Sequence, residues 1–227
     1  MGSTVSKDST LGSRLAALGI PNTKPASPDF DAQHESFTGS QPLRRPGLIV
    51  RPQKPDHVAT VVRLCVENRL PLVVRGGGHD MYGRYAAEGA VSIDLRDLNH
   101  IMIDPSQATV DKNKQNTTVW IQGGTTMLQA LGALEKDGLT VAVGTCGTVG
   151  FVGWSLIAGL GPYMHSYGIG ADQIIGARVV NAKGKLVDAN KETLKGLRGG
   201  GGNVGVVTEL QVKAYPFQEV RRITYNH

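Results

Sequence analysis

Residues 72–80 read LVVRGGGHD: a β-branched apolar run, an arginine, three consecutive glycines, then His79 and Asp80. Leu72–Val74 has the composition of a strand, and the strand must stop at Gly76. Consecutive glycines after a strand can turn several backbone N–H groups toward one point, which makes a nest for an anion. Arg75 is placed to add charge at the rim of that nest. His79 follows directly, and an imidazole there can serve as a base, a ligand or a nucleophile. A metal centre is a poor reading, because no second His or Cys lies at ligand spacing. A histidine after a turn is also commonly structural, so the nonapeptide alone leaves its role open.

Working outward, the same segment sets the fold. Upstream, Leu48–Val50 reads as a strand ended by Arg51-Pro52, and Pro55 suits the first turn of a helix. Val58, Val61, Val62, Cys65 and Val66 then recur at helical spacing. Strand, helix and strand in that order make a βαβ unit whose second strand delivers Arg75–Asp80 at its C-terminal end. Val91–Leu95 adds a strand. From about Ile101 the pattern becomes antiparallel, with Ala108–Val110 and Thr117–Gln122 alternating. Met127–Leu134 is helical, Ile174–Val180 and Lys185–Val187 flank the hairpin turn NAKG, and Val206–Ala214 alternates until Pro216. The expected fold class is α+β, built as two α/β subdomains over 41–103 and 104–227. Residues 1–40, with a short helical stretch at Leu11–Leu18, are expected to be peripheral.

Composition narrows the function classes. With 227 residues, 40% hydrophobic and 19% charged, the chain can bury a full core. A net charge of +5 suits an anionic ligand, yet the basic residues are scattered and aromatics are only 5%, which argues against nucleic acid. Two cysteines, Cys65 and Cys146, cannot make a disulfide framework or a metal ribbon. No run of about 18 apolar residues is present, so no membrane span is expected. The polar N-terminus lacks a secretory core and points to a cytoplasmic protein. Gly2 and Ser6 fit a loose myristoylation pattern, and Asn116-Thr117-Thr118 is a glycosylation sequon.

Two further glycine clusters flank apolar runs. The stretch GTCGTVGFVGW, Gly144–Trp154, forms a backbone-lined wall. In it Trp154 either covers a planar ring or packs, and Cys146 is either an accessible thiol or a small buried hydrophobe. The stretch LRGGGGNVGVV, Leu197–Val207, matches G-x-G-x-x-G through Gly200, Gly202 and Gly205. A dinucleotide fingerprint needs a strand before it and a helix after it, whereas a strand follows here, so it is no Rossmann loop. A Walker lysine and a Gly-x-Ser-x-Gly elbow are both absent.

Taken in order, VVRGGGHD, VSIDLRDLNHI, GTCGTVGFVGW, YGIGADQIIGARVVNAKGKLVDA and LRGGGGNVGVVTEL resemble the FAD-binding domain of the berberine bridge enzyme-like oxidoreductases. These belong to the vanillyl-alcohol-oxidase, or PCMH-type, FAD fold, and the resemblance runs from about Gly47 to Pro216. It implies that Arg75, Gly76, Gly77, Gly78, His79, Asp80 and Gly83 hold the FAD pyrophosphate region, with His79 bonded to the flavin 8α-methyl. It implies a second set of FAD contacts at Cys146, Thr148, Val149, Gly150, Gly153 and Trp154, with Gly161 and Val206 beyond them. Some members carry a second covalent bond, from a cysteine to flavin C6, and Cys146 occupies that position.

The resemblance further implies oxidation of a small-molecule substrate by hydride transfer to flavin N5, with O2 as acceptor. Many relatives have histidine at Trp154 and Gly-Gly-Gly-Tyr-Gly where this chain reads Ala158-Gly159-Leu160-Gly161. Family members also continue past the position of Pro216 with a substrate domain that carries the catalytic base. That domain is expected to be absent from a chain ending at His227, so no catalytic residue is assigned. The alternatives are a non-catalytic FAD-binding or association module, acting as a homodimer or with a partner chain, and a noncovalent FAD reductase.

Overall fold

The computed structural model describes residues 4–35, 37, 44–104 and 117–217, with side chains from residue 10. Its first half runs α1 (Thr4–Ala17), β1 (Asn22–Thr23), α2 (Phe30–His34), β2 (Leu48–Val50), α3 (Pro55–Asn68), β3 (Leu72–Arg75) and β4 (Val91–Asp94). The second half runs β5 (Ile101–Ile103), β6 (Thr118–Gln122), α4 (Met127–Glu135), β7 (Leu139–Thr140), α5 (Phe151–Ile157), α6 (Met164–Tyr167) and α7 (Gly170–Gln173). It ends with β8 (Ile174–Val180), β9 (Leu186–Asp188), α8 (Lys191–Gly200), β10 (Val206–Lys213) and β11 (Tyr215–Pro216).

Pro55 sits in the first turn of α3, where its missing N–H costs nothing, and the helix closes at Arg69 in a left-handed conformation (φ 54°). Its buried face, Val58, Val61, Val62, Leu64 and Cys65, packs on the first sheet. That sheet has the order β1-β2-β4-β3, with β4 parallel to both β2 and β3. The βαβ unit therefore forms, but β4 lies between its two strands. The second sheet, β5-β6-β10-β8-β9, is antiparallel throughout, and its core draws on α4, α5 and α8.

The two sheets are joined through α3, which touches β4 on one side and β8, β9 and β10 on the other. At the β8–β9 turn, a Cβ on Gly184 would lie 2.8 Å from Arg63 Cβ and 2.9 Å from the Ala59 carbonyl, so only glycine lets the hairpin press on the helix. Val180 and Val206 enter the first core from the second sheet.

The N-terminal residues are a correction to the peripheral expectation. Leu11, Leu15 and Ile20 are buried in the first core, and β1 extends the first sheet by pairing with β2. Phe30 is buried as well. Leu11, Leu15 and Ile20 give the segment an apolar stripe, which its loop-rich surroundings obscure. The strand expected at Ala108–Val110 and the sequon residue Asn116 lie outside the described residues. No helix among the described residues is long and apolar enough to cross a membrane.

Candidate functional site

Two loops meet at the C-terminal end of β3. The first is the glycine turn after Arg75, whose parallel pairing with Asp94 fixes where the chain leaves the sheet. The second runs from Gly144 to Gly150 and is held by the start of α4. There the orphan N–H groups of Met127 and Leu128 donate to the carbonyls of Val149 (3.0 Å) and Gly147 (2.9 Å). Thr126 caps the same helix in a reciprocal box with Gln129. Phe151 N donates to Thr125 O at 2.8 Å, which ties the far end of the loop.

The loops touch backbone to backbone. A Cβ on Gly77 would fall 2.3 Å from Gly150 N and 2.9 Å from Thr148 O. Gly78 takes φ +73° and Gly83 φ +63°, so the turn needs glycine at both. Among the described residues, the backbone N–H groups of Gly77, Gly78 and His79 donate to no carbonyl. Arg84 closes the turn by pairing with Asp80 (Nη2–Oδ1 2.6 Å), which holds the Asp80 carboxyl below its ordinary range.

This contact brings together the two side chains that sequence singled out. His79 Nε2 lies 2.9 Å from Thr148 Oγ1, and Cys146 Sγ lies 3.4 Å from the same oxygen. Burial lowers the His79 pKa from its usual value, and hydrogen bonding from Thr148 lowers that of the Cys146 thiol. Thr148 is thus the common partner of a neutral imidazole and a thiol inclined to ionise. The ring of Phe37 stacks on that of His79 at 3.9 Å, a contact that nothing in the sequence pattern signalled.

Other expected site residues do different work. Arg75 is not at the rim: it is buried, donates to Gln33 O (2.6 Å) and Glu35 O, and lies over the Tyr85 ring. The carbonyls it needs come from the N-terminal segment, invisible to a reading of 72–80 alone. Trp154 packs rather than standing free. Its Nε1 donates to Leu160 O at 3.0 Å, and its six-membered ring occupies the space a Cβ on Gly170 would take, 2.4 Å away. Leu160 itself is exposed, pointing its bulk outward. Gly161 is required by the fold, since a Cβ would meet Val143 O at 1.9 Å. Val206 is a core residue paired with Val180. Val149 packs partly buried against the second core, whereas Gly76 and Gly153 leave room, with no atom within 3.4 Å of an added Cβ. The glycine run at 199–205 begins in the last residues of α8 and leads into β10, the reverse of a dinucleotide loop.

The arrangement fits an FAD site: backbone N–H groups that donate to no carbonyl among the described residues suit a pyrophosphate, and an imidazole and a thiol share one hydroxyl beside them. The described residues hold no group of His, Cys, Asp and Glu suited to a metal ion.

Comparison with known proteins agrees. Residues 46–190 match the family model described as FAD binding domain. The chain is 37% identical over 201 residues to the FAD-linked oxidoreductase aurO of Gibberella zeae, covering 86% of this chain and 37% of that protein. It superposes on 6-hydroxy-D-nicotine oxidase from Arthrobacter nicotinovorans with a TM-score of 0.78 at 32% identity, over 87% of this chain and 42% of that one. The glucooligosaccharide oxidase of Acremonium strictum, whose FAD is described as 6-S-cysteinyl and 8α-N1-histidyl, gives a TM-score of 0.78 at 26% identity, over 90% and 42%. The chain therefore spans about two fifths of the length of these relatives. It belongs to the FAD binding domain family, and its relatives are FAD-linked oxidoreductases of the berberine bridge enzyme-like kind.

Proposed function

We propose that the chain is the flavin-holding part of an FAD-dependent oxidase and that it binds FAD covalently through His79 and Cys146. The observation that carries this reading is that His79 meets Thr148, 69 residues on in sequence, at the hydroxyl that Cys146 of the same loop also contacts. With Nε2 engaged by Thr148, the bond would form at the other ring nitrogen, Nδ1, which has no hydrogen-bond partner among the described residues. That matches the N1-histidyl linkage described for the glucooligosaccharide oxidase.

The bonds balance simply. Attachment at His79 would replace the imidazole N–H and one hydrogen of the flavin 8α-methyl by a C–N bond, with O2 as the oxidant taking both hydrogens as H2O2. Attachment at Cys146 would replace the S–H and the hydrogen on flavin C6 by a C–S bond, with a second O2 taking both hydrogens as H2O2. When bound, FAD supplies hydride acceptance at N5 and reoxidation by O2. The residues of this chain would hold it: the N–H groups of Gly77, Gly78 and His79 would be available to its pyrophosphate, and bonds at His79 and Cys146 would fix the ring. The substrate is a small organic molecule. The groups that orient it and remove its proton belong to the length of the relatives that this chain does not span.

A second reading is an association module without turnover. It is favoured by exposed apolar side chains beside the loops, Met81 at 78% and Tyr82 at 86%. Acid precipitation of the chain produced with FAD tests the first reading. Flavin should stay in the pellet; flavin wholly in the supernatant rejects covalent attachment. Retained flavin with no O2 consumption across alcohols, amines and oligosaccharides favours the module.

A further inference from the structure

We propose that Thr148 is the positioning residue that prepares both nucleophiles at once, through a single hydroxyl. The inference rests on the reading of His79 and Cys146 as the attachment points, and it adds the group that readies them. A threonine hydroxyl has one O–H to give and two lone pairs to receive. His79 Nε2 at 2.9 Å and Cys146 Sγ at 3.4 Å place it between a nitrogen and a sulfur, and of the two donor arrangements these distances allow we take the following one. Nε2–H donates to Oγ1, and Oγ1–H donates to the sulfur. The first bond fixes the tautomer: with the proton on Nε2, the Nδ1 lone pair is the one presented for bonding. The second favours the thiolate, the reactive form of a cysteine. Both act in the same direction, toward a nucleophile at each position.

The position of the hydroxyl is built into the fold. Thr148 lies in the loop held by the first turn of α4, and its carbonyl sits where a Cβ on Gly77 would come to 2.9 Å. The close approach of Gly77 and Gly150 therefore also sets the distance from Thr148 to His79. Val149 N donates to the Cys146 carbonyl at 3.2 Å, which holds the cysteine in the turn that carries Thr148. The contrast within the chain is Cys65, fully buried in α3 and outside this network.

Thr148 is exposed, so removing its hydroxyl leaves the core intact. The test uses the chain without added FAD, comparing Thr148→Val, which keeps the shape, with Thr148→Ser, which keeps the hydroxyl. Alkylation of Cys146 by iodoacetamide, followed against pH, should shift to a higher midpoint in Thr148→Val and slow roughly three- to tenfold at neutral pH. Thr148→Ser should restore it. Long-range 1H–15N NMR of the histidines, with the His79 signal identified by His79→Gln, should show Nε2–H in the parent and a mixed tautomer in Thr148→Val. If Thr148→Val misfolds, Thr148→Ala takes its place with the same expectations. Unchanged alkylation and tautomer overturn the proposal, and a change at only one of the two residues overturns the shared role. Neither readout needs flavin, so a failure of covalent attachment in the parent chain would reject the proposed function separately.

Discussion

Gly77 and Gly150 meet backbone to backbone: a Cβ on Gly77 would fall 2.3 Å from Gly150 N, and one on Gly150 would fall 2.6 Å from Gly77 N. That contact seats the His79 turn against the Cys146 loop. Gly77→Ala should therefore push the loops apart at a cost of about 1–3 kcal/mol. In thermal unfolding this corresponds to roughly 2–4 °C per kcal/mol for a chain of this size. Gly76→Ala, whose Cβ would meet Gly123 O at an ordinary 3.5 Å, should leave the melting temperature nearly unchanged. Equal losses from the two substitutions would contradict this account of the junction.

Arg75 holds the N-terminal segment to the end of β3. Its buried guanidinium donates to the carbonyls of Gln33 and Glu35, while Arg96 also reaches Gln33 O at 2.9 Å. Arg75→Leu leaves the Glu35 carbonyl without this donor and should cost about 2–4 kcal/mol in urea unfolding. Arg84→Ala removes an ion pair whose arginine is two-thirds exposed and should cost less than about 1 kcal/mol. A larger loss at Arg84 than at Arg75 would reverse the assignment.

Trp154 and Gly170 should prove coupled. A methyl at Gly170 would collide with the six-membered ring of Trp154, so Gly170→Ala should destabilise the parent chain by about 1–3 kcal/mol. In a Trp154→Ala background the same change has room and should cost far less. The double-mutant cycle measures this directly, and additive losses would show that the ring is not the obstacle.

The proposed attachment should depend on pH in one direction at His79. Burial holds its pKa below the ordinary 6.5, so the ring is neutral at pH 7 and able to bond. The rate of covalent incorporation should stay on a plateau above pH 6.5 and fall as the pH drops through a lower midpoint. The linkage has the same sign: a depressed folded value contributes stability that is present above 6.5 and lost as the pH falls through the folded value. Stopped time courses of acid-stable flavin from pH 5 to 8 would record it, and a rate that rises on acidification would contradict it.

Much of this was legible in the sequence because it is local. Pro55, the valine stripe of α3 and the β-branched run before Gly76 each specify an element by short-range rules, and the NAKG hairpin does the same. The insertion of β4 between β2 and β3 was not legible, since strand order depends on pairing across long loops. The role of Arg75 escaped for a related reason: its acceptors lie about 40 residues upstream, in a segment read as peripheral. His79 and Cys146 could be named from their glycine-rich settings and family resemblance. The oxygen they share could not, because Thr148 reads as an ordinary loop residue until Gly77 and Gly150 bring the loops together. Phe37 over the His79 ring is likewise a product of folding alone.

The most direct measurement maps the flavin onto the chain. The chain produced with FAD is digested with protease, and the flavin-bearing peptides are identified by absorbance and mass. One flavin should be found joining the peptide that contains His79 to the peptide that contains Cys146. His79→Ala should leave it on the Cys146 peptide alone, Cys146→Ala on the His79 peptide alone, and the double variant should release it. Flavin released intact from the parent chain, or attached at any other residue, would contradict the account.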